Sequence, residues 1–184
     1  VVSNGDFRIP ACVNGWPLQK KTLGQLQTAL KKLGYDAEIL PKYNAKDKHG
    51  FLTKQCEGTA AFARIDPKAP VIVLLNIWAY AHHVSGPLQT HNGPILLLAN
   101  FDGTYPGLVA LLNHSASLDR LNVRHSRLWS ESFSDDPFFM KHLEKWLKTG
   151  KIVYNESHMI DDAQVSISKG AETLGKNLAA SIKK

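Results

Sequence analysis

The sequence predicts an α/β fold in which a five-stranded parallel sheet carries helices on both faces and a further helix closes the chain. Three observations carry this expectation. The runs 71–75 and 95–99 are apolar without alternation, the pattern of strands buried on both faces of a parallel sheet. Strand-like and helix-like patterns alternate along the chain, which places crossover helices on both sides of such a sheet. The 184 residues, 43% apolar and 21% charged, suit a globular domain with a sizeable core and not a disordered chain.

Val1 and Val2 lead directly into the turn-forming Ser3, Asn4, Gly5 and Asp6, so the first strand is shorter than the usual five or six residues or so. With no initiator Met, the chain is expected to begin inside an element of a longer parent. Pro17 is expected to open the first helix, with Leu23, Leu26, Leu30 and Leu33 as its apolar stripe and Gly34 as its C-terminal cap. Residues 37–40 read as the second strand, ended by Pro41. A second helix is expected over about 49–65, with Gly58 and two threonines weakening its pattern.

After Pro67 and Pro70 the third strand begins at Val71, and a loop or short helix with His82, His83 and Gly86 leads to the fourth at Ile95. Pro106 suits a first helical position, and Leu108, Leu111, Leu112, Leu118 and Leu121 form a stripe running to Asn122. Residues 124–129 read as the fifth strand. Asp135 or Asp136 then caps a helix carrying Phe139, Leu143, Trp146 and Leu147, which Gly150 stops. In the tail, Asp161 and Asp162 are placed to start a helix with Ile167, Ala171, Leu174, Leu178 and Ile182 on one face. A stripe of this kind is normally covered, so the helix is expected to dock on the sheet or lead into a further domain. The expected division is 1–158 and 159–184, the first part a flavodoxin-like three-layer sandwich of strand order 2-1-3-4-5.

No apolar run approaches the roughly 20 residues that span a bilayer, and no secretory signal pattern is present. Cys12 and Cys56 lack a CxxC partner, which favours free thiols in a reducing compartment and a cytoplasmic location. The net charge of +6 comes from 22 basic and 16 acidic side chains, enough to favour anionic partners. The lysine pairs 20/21, 31/32 and 183/184 lie in or near helices, and no arginine-rich run or zinc-finger spacing occurs. Neither nucleic acid nor a membrane is an expected partner.

The ends of parallel strands are where open α/β sheets bind ligands. Arg8 follows the first strand. Asn76, Trp78, Tyr80, His82 and His83 follow the third, and Asn100, Asp102 and Thr104 follow the fourth. The first turn, SNGDFRIP, lacks GxGxxG, GxxxxGK[ST] and a hydroxyl-rich phosphate loop. Asp102-Gly103-Thr104 before a helix is a common tripeptide with amides suited to an anion. His82, His83 and His91 stand without HExxH or a carboxylate triad, so histidines lining a loop are favoured over metal ligands. Neither GxSxG nor a partnered nucleophilic Cys is present. Trp78 and Tyr80 among polar side chains suit a polyol, whose C–H face is apolar and whose hydroxyls need partners. The competing readings are core packing for Trp78 and a solvated loop for Arg8.

The segments HGFLTKQCEGTAAFARIDPKAPVIV, LLNIWAYAHH and GPILLLANFDGTYPGLVALLNHSASLDRLNVRHSRLWSESFSDDPFF, in that order, resemble the N-terminal region of the L-fucose and L-arabinose isomerase-like family. The resemblance implies an aldose–ketose isomerase of three domains, two flavodoxin-like and a third β-rich. Its divalent cation, usually manganese, is held by carboxylates and a histidine of the later domains, which this chain does not reach. The resemblance therefore implies no metal ligand and no catalytic residue here, and an inactive chain when alone. It implies a role in substrate enclosure and assembly, in a homo-oligomer. In hexameric fucose isomerases an aromatic residue matching Trp78 reaches a neighbouring subunit's sugar site. Arg8 resembles an arginine near the matching first turn, and the FDGTYPG turn resembles an Asn-Gly-Thr turn of fucose isomerases, with different spacing. The expected substrate-facing set is Trp78, Arg8, Asn76, Tyr80, His82, His83, Asp102 and Thr104. Two rivals stay open: a noncatalytic sugar-binding or sensing lobe, and an oligomerisation module.

Overall fold

A computed structural model describes residues 1–78, 82–155, 157 and 169–182. Its contacts divide the chain into two compact units, Val1–Ile152 and Val153–Lys184.

The first unit is built on a parallel sheet of four strands, β1 (Val2–Ser3), β2 (Val71–Leu74), β3 (Ile95–Asn100) and β4 (Ser126–Ser130), in the order β1-β2-β3-β4. Every residue of β2 and β3 is buried, as their unbroken apolar runs predict. Alternate side chains go to opposite faces. Val71, Val73, Ile95, Leu97 and Ala99 join α2 (Gln55–Phe62), α3 (Ser85–Thr90) and α4 (Gly107–Arg120) in one core cluster. Ile72, Leu74, Leu96, Leu98 and Leu128 join α1 (Ile9–Lys32) and α5 (Pro137–Thr149) in the other. Each such aliphatic side chain taken from water contributes about 1.5–3 kcal/mol.

The expected second strand at 37–40 is not formed, which leaves four strands in place of five. Leu40 makes a single parallel bridge to Val2: its N–H donates to the Val1 carbonyl and its carbonyl accepts from the Ser3 N–H, both at 2.8 Å. The next positions on that edge are taken by a different segment. The Ser3 carbonyl accepts from the Leu52 N–H, and the Gly5 N–H donates to the Leu52 carbonyl, both at 2.9 Å. With the β1 edge shared between Leu40 and Leu52, one ladder step is all that 37–40 can make.

The same division explains why α2 starts at Gln55 and not near residue 49. His49 bridges back to Asn44 and Leu52 bridges Asn4, so 49–53 is committed to extended backbone. Helix α1 begins eight residues before Pro17, with Pro10 in its first turn and Pro17 inside it. Tertiary packing holds the early turns: Cys12 clusters with Phe51 and Ile77, and a Cβ on Gly15 would lie 2.3 Å from Ile77 Cγ2.

Other terminal signals act as the sequence indicates. Gly34, at φ 82°, follows α1 while the Tyr35 N–H reaches the Leu30 carbonyl at 2.9 Å and the Gly34 N–H the Lys31 carbonyl at 3.0 Å, a Schellman cap. Asp136 caps α5 by accepting the Phe138 and Phe139 N–H groups at 2.9 and 3.1 Å. Gly150 stops that helix with φ 73°. Pro106 is the N-cap of α4, so the helix starts at Gly107, one residue later than expected, and β4 runs to Ser130.

In the second unit α6 spans Lys169–Ile182. An i,i+4 pair joins Lys176 Nζ to Glu172 Oε1 at 2.6 Å. The expected start at Asp161 and Asp162, and Ile167, lie outside the described residues. Among the described residues no helix is long and apolar enough to cross a membrane.

Candidate functional site

The C-terminal ends of β1, β2 and β3 are tied together by a buried polar chain. Gln19, on α1, donates from Nε2 to Ser3 Oγ at 2.9 Å. Asn76, two residues past β2, donates from Nδ2 to Gln19 Oε1 at 2.8 Å, and its Oδ1 accepts the Asn100 N–H at 2.9 Å. Asn100 Oδ1 in turn accepts the Asp102 N–H at 2.7 Å. Ser3, Gln19, Asn76 and Asn100 are all buried, so these bonds are made where each lost partner is costly. Gly107 completes the join: a Cβ there would lie 2.8 Å from the Leu75 carbonyl and 2.9 Å from the Asn100 carbonyl, so the start of α4 sits directly on the strand ends.

On this frame the expected site residues take different positions. Arg8 and the buried Asp6 form a bidentate pair, Nε to Oδ1 at 2.8 Å and Nη2 to Oδ2 at 3.1 Å. The Arg8 N–H adds a third bond to Oδ1 at 2.8 Å. The guanidinium is thus fixed at the edge while its side chain stays 45% exposed. Trp78 is partly buried just past β2. Asp102 accepts the Thr104 N–H at 3.0 Å and has Lys21 Nζ 3.9 Å from Oδ2, so the FDGT turn presents one carboxylate beside one ammonium. Thr104 is exposed. Tyr80 lies outside the described residues.

Asn76, His82 and His83 are placed for structural work. Asn76 is fully buried and holds strand ends. His82 stacks on His114 of α4 with ring centroids 4.3 Å apart. His83 is buried, and its N–H donates to Asn4 Oδ1 at 2.9 Å. Burial lowers the pKa of both rings; His83 lowers His82 further, while Glu57 and Asp6 partly offset the shift at His83. Both are held neutral at pH 7. Phe7 and Phe101, 58% and 50% exposed, add apolar surface after β1 and β3.

Gln19, Asp6 and His114 were not singled out by the sequence. Gln19 sits four and seven residues before Leu23 and Leu26, a polar residue in the apolar stripe of α1. His114 occupies the corresponding position between Leu111 and Leu118 on α4. A polar side chain at a core-facing helical position was the available signal.

A separate cleft of about 490 Å³ runs beside the β1 edge, lined by Lys42, Asp47, His49, Thr53, Glu57 and Arg64 among others. Its charges are largely committed: Glu57 accepts the Thr53 N–H and Arg64 pairs with Glu38. His49 Nδ1 accepts the Phe51 N–H at 3.2 Å, and burial lowers the pKa of its ring.

Among the described residues no three His, Cys, Asp or Glu side chains stand together as a metal-binding group. Both cysteines are free thiols, Cys12 buried and Cys56 exposed. Comparison of the chain with protein-family models, with curated proteins and with solved structures finds no match.

Proposed function

We propose that this chain is the N-terminal, substrate-enclosing domain of a metal-dependent aldose–ketose isomerase of the fucose and arabinose type, working inside a homo-oligomer of a longer parent. The observation that carries the reading is the grouping of Arg8, Trp78, Asp102 and Thr104 past the C-terminal ends of three adjacent parallel strands. An indole offers an apolar face to a sugar's C–H groups, while a guanidinium, a carboxylate and a hydroxyl suit its hydroxyls. Asn76 acts here as a positioning residue, since its amide is spent on Gln19 and Asn100.

Ketol isomerisation moves a proton between C1 and C2, and a divalent cation such as manganese polarises the two oxygens. The described residues do not fit such a cation, because they supply no convergent ligand set. In this reading the work of the domain is to bind, orient and enclose the sugar. The exposed Phe7 and Phe101 at the same edge favour, as a second reading, a surface for subunit contact.

The test is an isomerase assay with L-fucose and L-arabinose in the presence of manganese. The 184-residue chain alone should give no ketose, whereas the full-length parent should convert one of them. Turnover by the isolated chain, or none by the parent, would overturn the proposal.

A further inference from the structure

The packing of His82 against His114 has consequences beyond ligand binding. Their rings are 4.3 Å apart between centroids and 6° from parallel. His82 lies in the segment that enters α3, and His114 is fully buried on α4. Ser85, the first residue of α3, places its Oγ 3.1 Å from His114 Nε2. His82 Nε2 and His114 Nδ1 are buried with no hydrogen-bond partner among the described residues. Ring lone pairs lie in the ring plane, so two parallel stacked rings cannot converge on one metal ion.

The charged neighbours work in one direction. His83 faces His82, and His125 faces His114, so each brings a like charge when protonated. The carboxylates of Asp6 and Glu57 face His83. Among the described residues no acid bears on either stacked ring.

We propose that the His82–His114 stack is a proton-sensitive latch, holding the entry of α3 against α4 while both rings are neutral and releasing it when they protonate. Protonation in place would put a cation in dry surroundings, and a second would set two cations face to face. Released into water, each ring regains a pKa of about 6.5. Burial first, then His82 and His125, push His114 down to about 3. The closed state therefore binds fewer protons, and its stability is complete above about pH 6.5 and is lost as pH falls. Each pH unit below that value favours release about tenfold through His114 alone, and the lowered pKa of His82 acts in the same direction. Because His82 follows Trp78 by four residues, release would also loosen the wall that carries the indole, a consequence that rests on the sugar-binding proposal.

Amide hydrogen exchange of residues 82–90, corrected for intrinsic rates, tests the latch at pH 7 and about pH 5.5. The wild-type chain should lose at least about tenfold in protection at the lower pH. The double variant His82→Phe with His114→Phe, which keeps two flat rings and removes both titrations, should lose clearly less, with only the buried His83 ring left to titrate in the probed segment. Equal loss in both proteins, or no loss in the wild type, would overturn the latch. If the double variant fails to fold, histidine titration of the wild type by NMR decides: ring protonation must coincide with release, and a His114 ring that titrates near 6.5 in the closed state contradicts it. An L-fucose arm separates the two proposals. No binding at pH 7 counts against the sugar site alone, and the exchange data still judge the latch.

Discussion

Asn76 and Gln19 are 57 residues apart in sequence and joined side chain to side chain at 2.8 Å, where both are fully buried. The bond fixes the end of β2 to α1, and through Ser3 and Asn100 it fixes β1 and β3 as well. The edge that carries Arg8, Trp78 and Asp102 is therefore rigid at its base.

Replacing Asn76 by Ala should strip partners from Gln19 Oε1 and the Asn100 N–H together. Each buried polar group left unpaired costs about 1–3 kcal/mol, so the variant should lose about 2–6 kcal/mol in urea unfolding. A loss under about 0.5 kcal/mol, the range of an ordinary surface change, would show that the chain of bonds does not hold the edge.

Leu97 is fully buried in the centre of β3. Leu97→Ala should cost about 2–5 kcal/mol through lost transfer energy and the residual cavity, read as a lower midpoint at unchanged denaturant slope.

Much of this layout is legible in the sequence, because β2 and β3 are unbroken apolar runs and Gly34, Asp136 and Gly150 are strong terminal signals. The failures have physical causes. Leu40 looks like part of a strand locally, yet the edge it needs is shared with Leu52, a competition between segments that no window of sequence contains. Pro17 is a sound helix-start signal overridden by the packing of Cys12 and Gly15 against Ile77. Asn76 and His82 have the composition of a binding site, while Gln19 and His114, the partners that commit them elsewhere, are distant in sequence.

The two cysteines should differ in reactivity. Burial, only partly offset by the hydrogen bond to Asp6, pushes the Cys12 thiol up to about 11, whereas Cys56 is exposed. Iodoacetamide at mildly alkaline pH should modify Cys56 alone in the native protein and both thiols in urea, as read by intact mass. Rapid native labelling of Cys12 would contradict the packing around Asp6.

Asp136 links stability to acid pH. Burial raises its pKa, and the Ser130 hydroxyl with the Phe139 and Phe138 N–H groups outweighs this, leaving the carboxyl below its ordinary value. A group depressed on folding stabilises above its unfolded pKa of about 3.9 and loses that contribution as pH falls through the folded value. Asp136→Ala should cost about 0.5–2 kcal/mol at pH 7, and the difference from wild type should shrink below about pH 4. A difference that persists undiminished at pH 2 would remove the carboxylate from the account.

The central claim is that a sugar is held at the strand-end edge beside Trp78. The most direct measurement is titration of the 184-residue chain with L-fucose and L-arabinose, followed through the indole N–H resonance of Trp78 and the Arg8 side chain by NMR. One of these sugars should shift both signals saturably, and Trp78→Ala, still folded by its amide spectrum, should bind it more weakly by about 1–3 kcal/mol. Neither signal moving with either sugar, or unchanged affinity in Trp78→Ala, would contradict the claim.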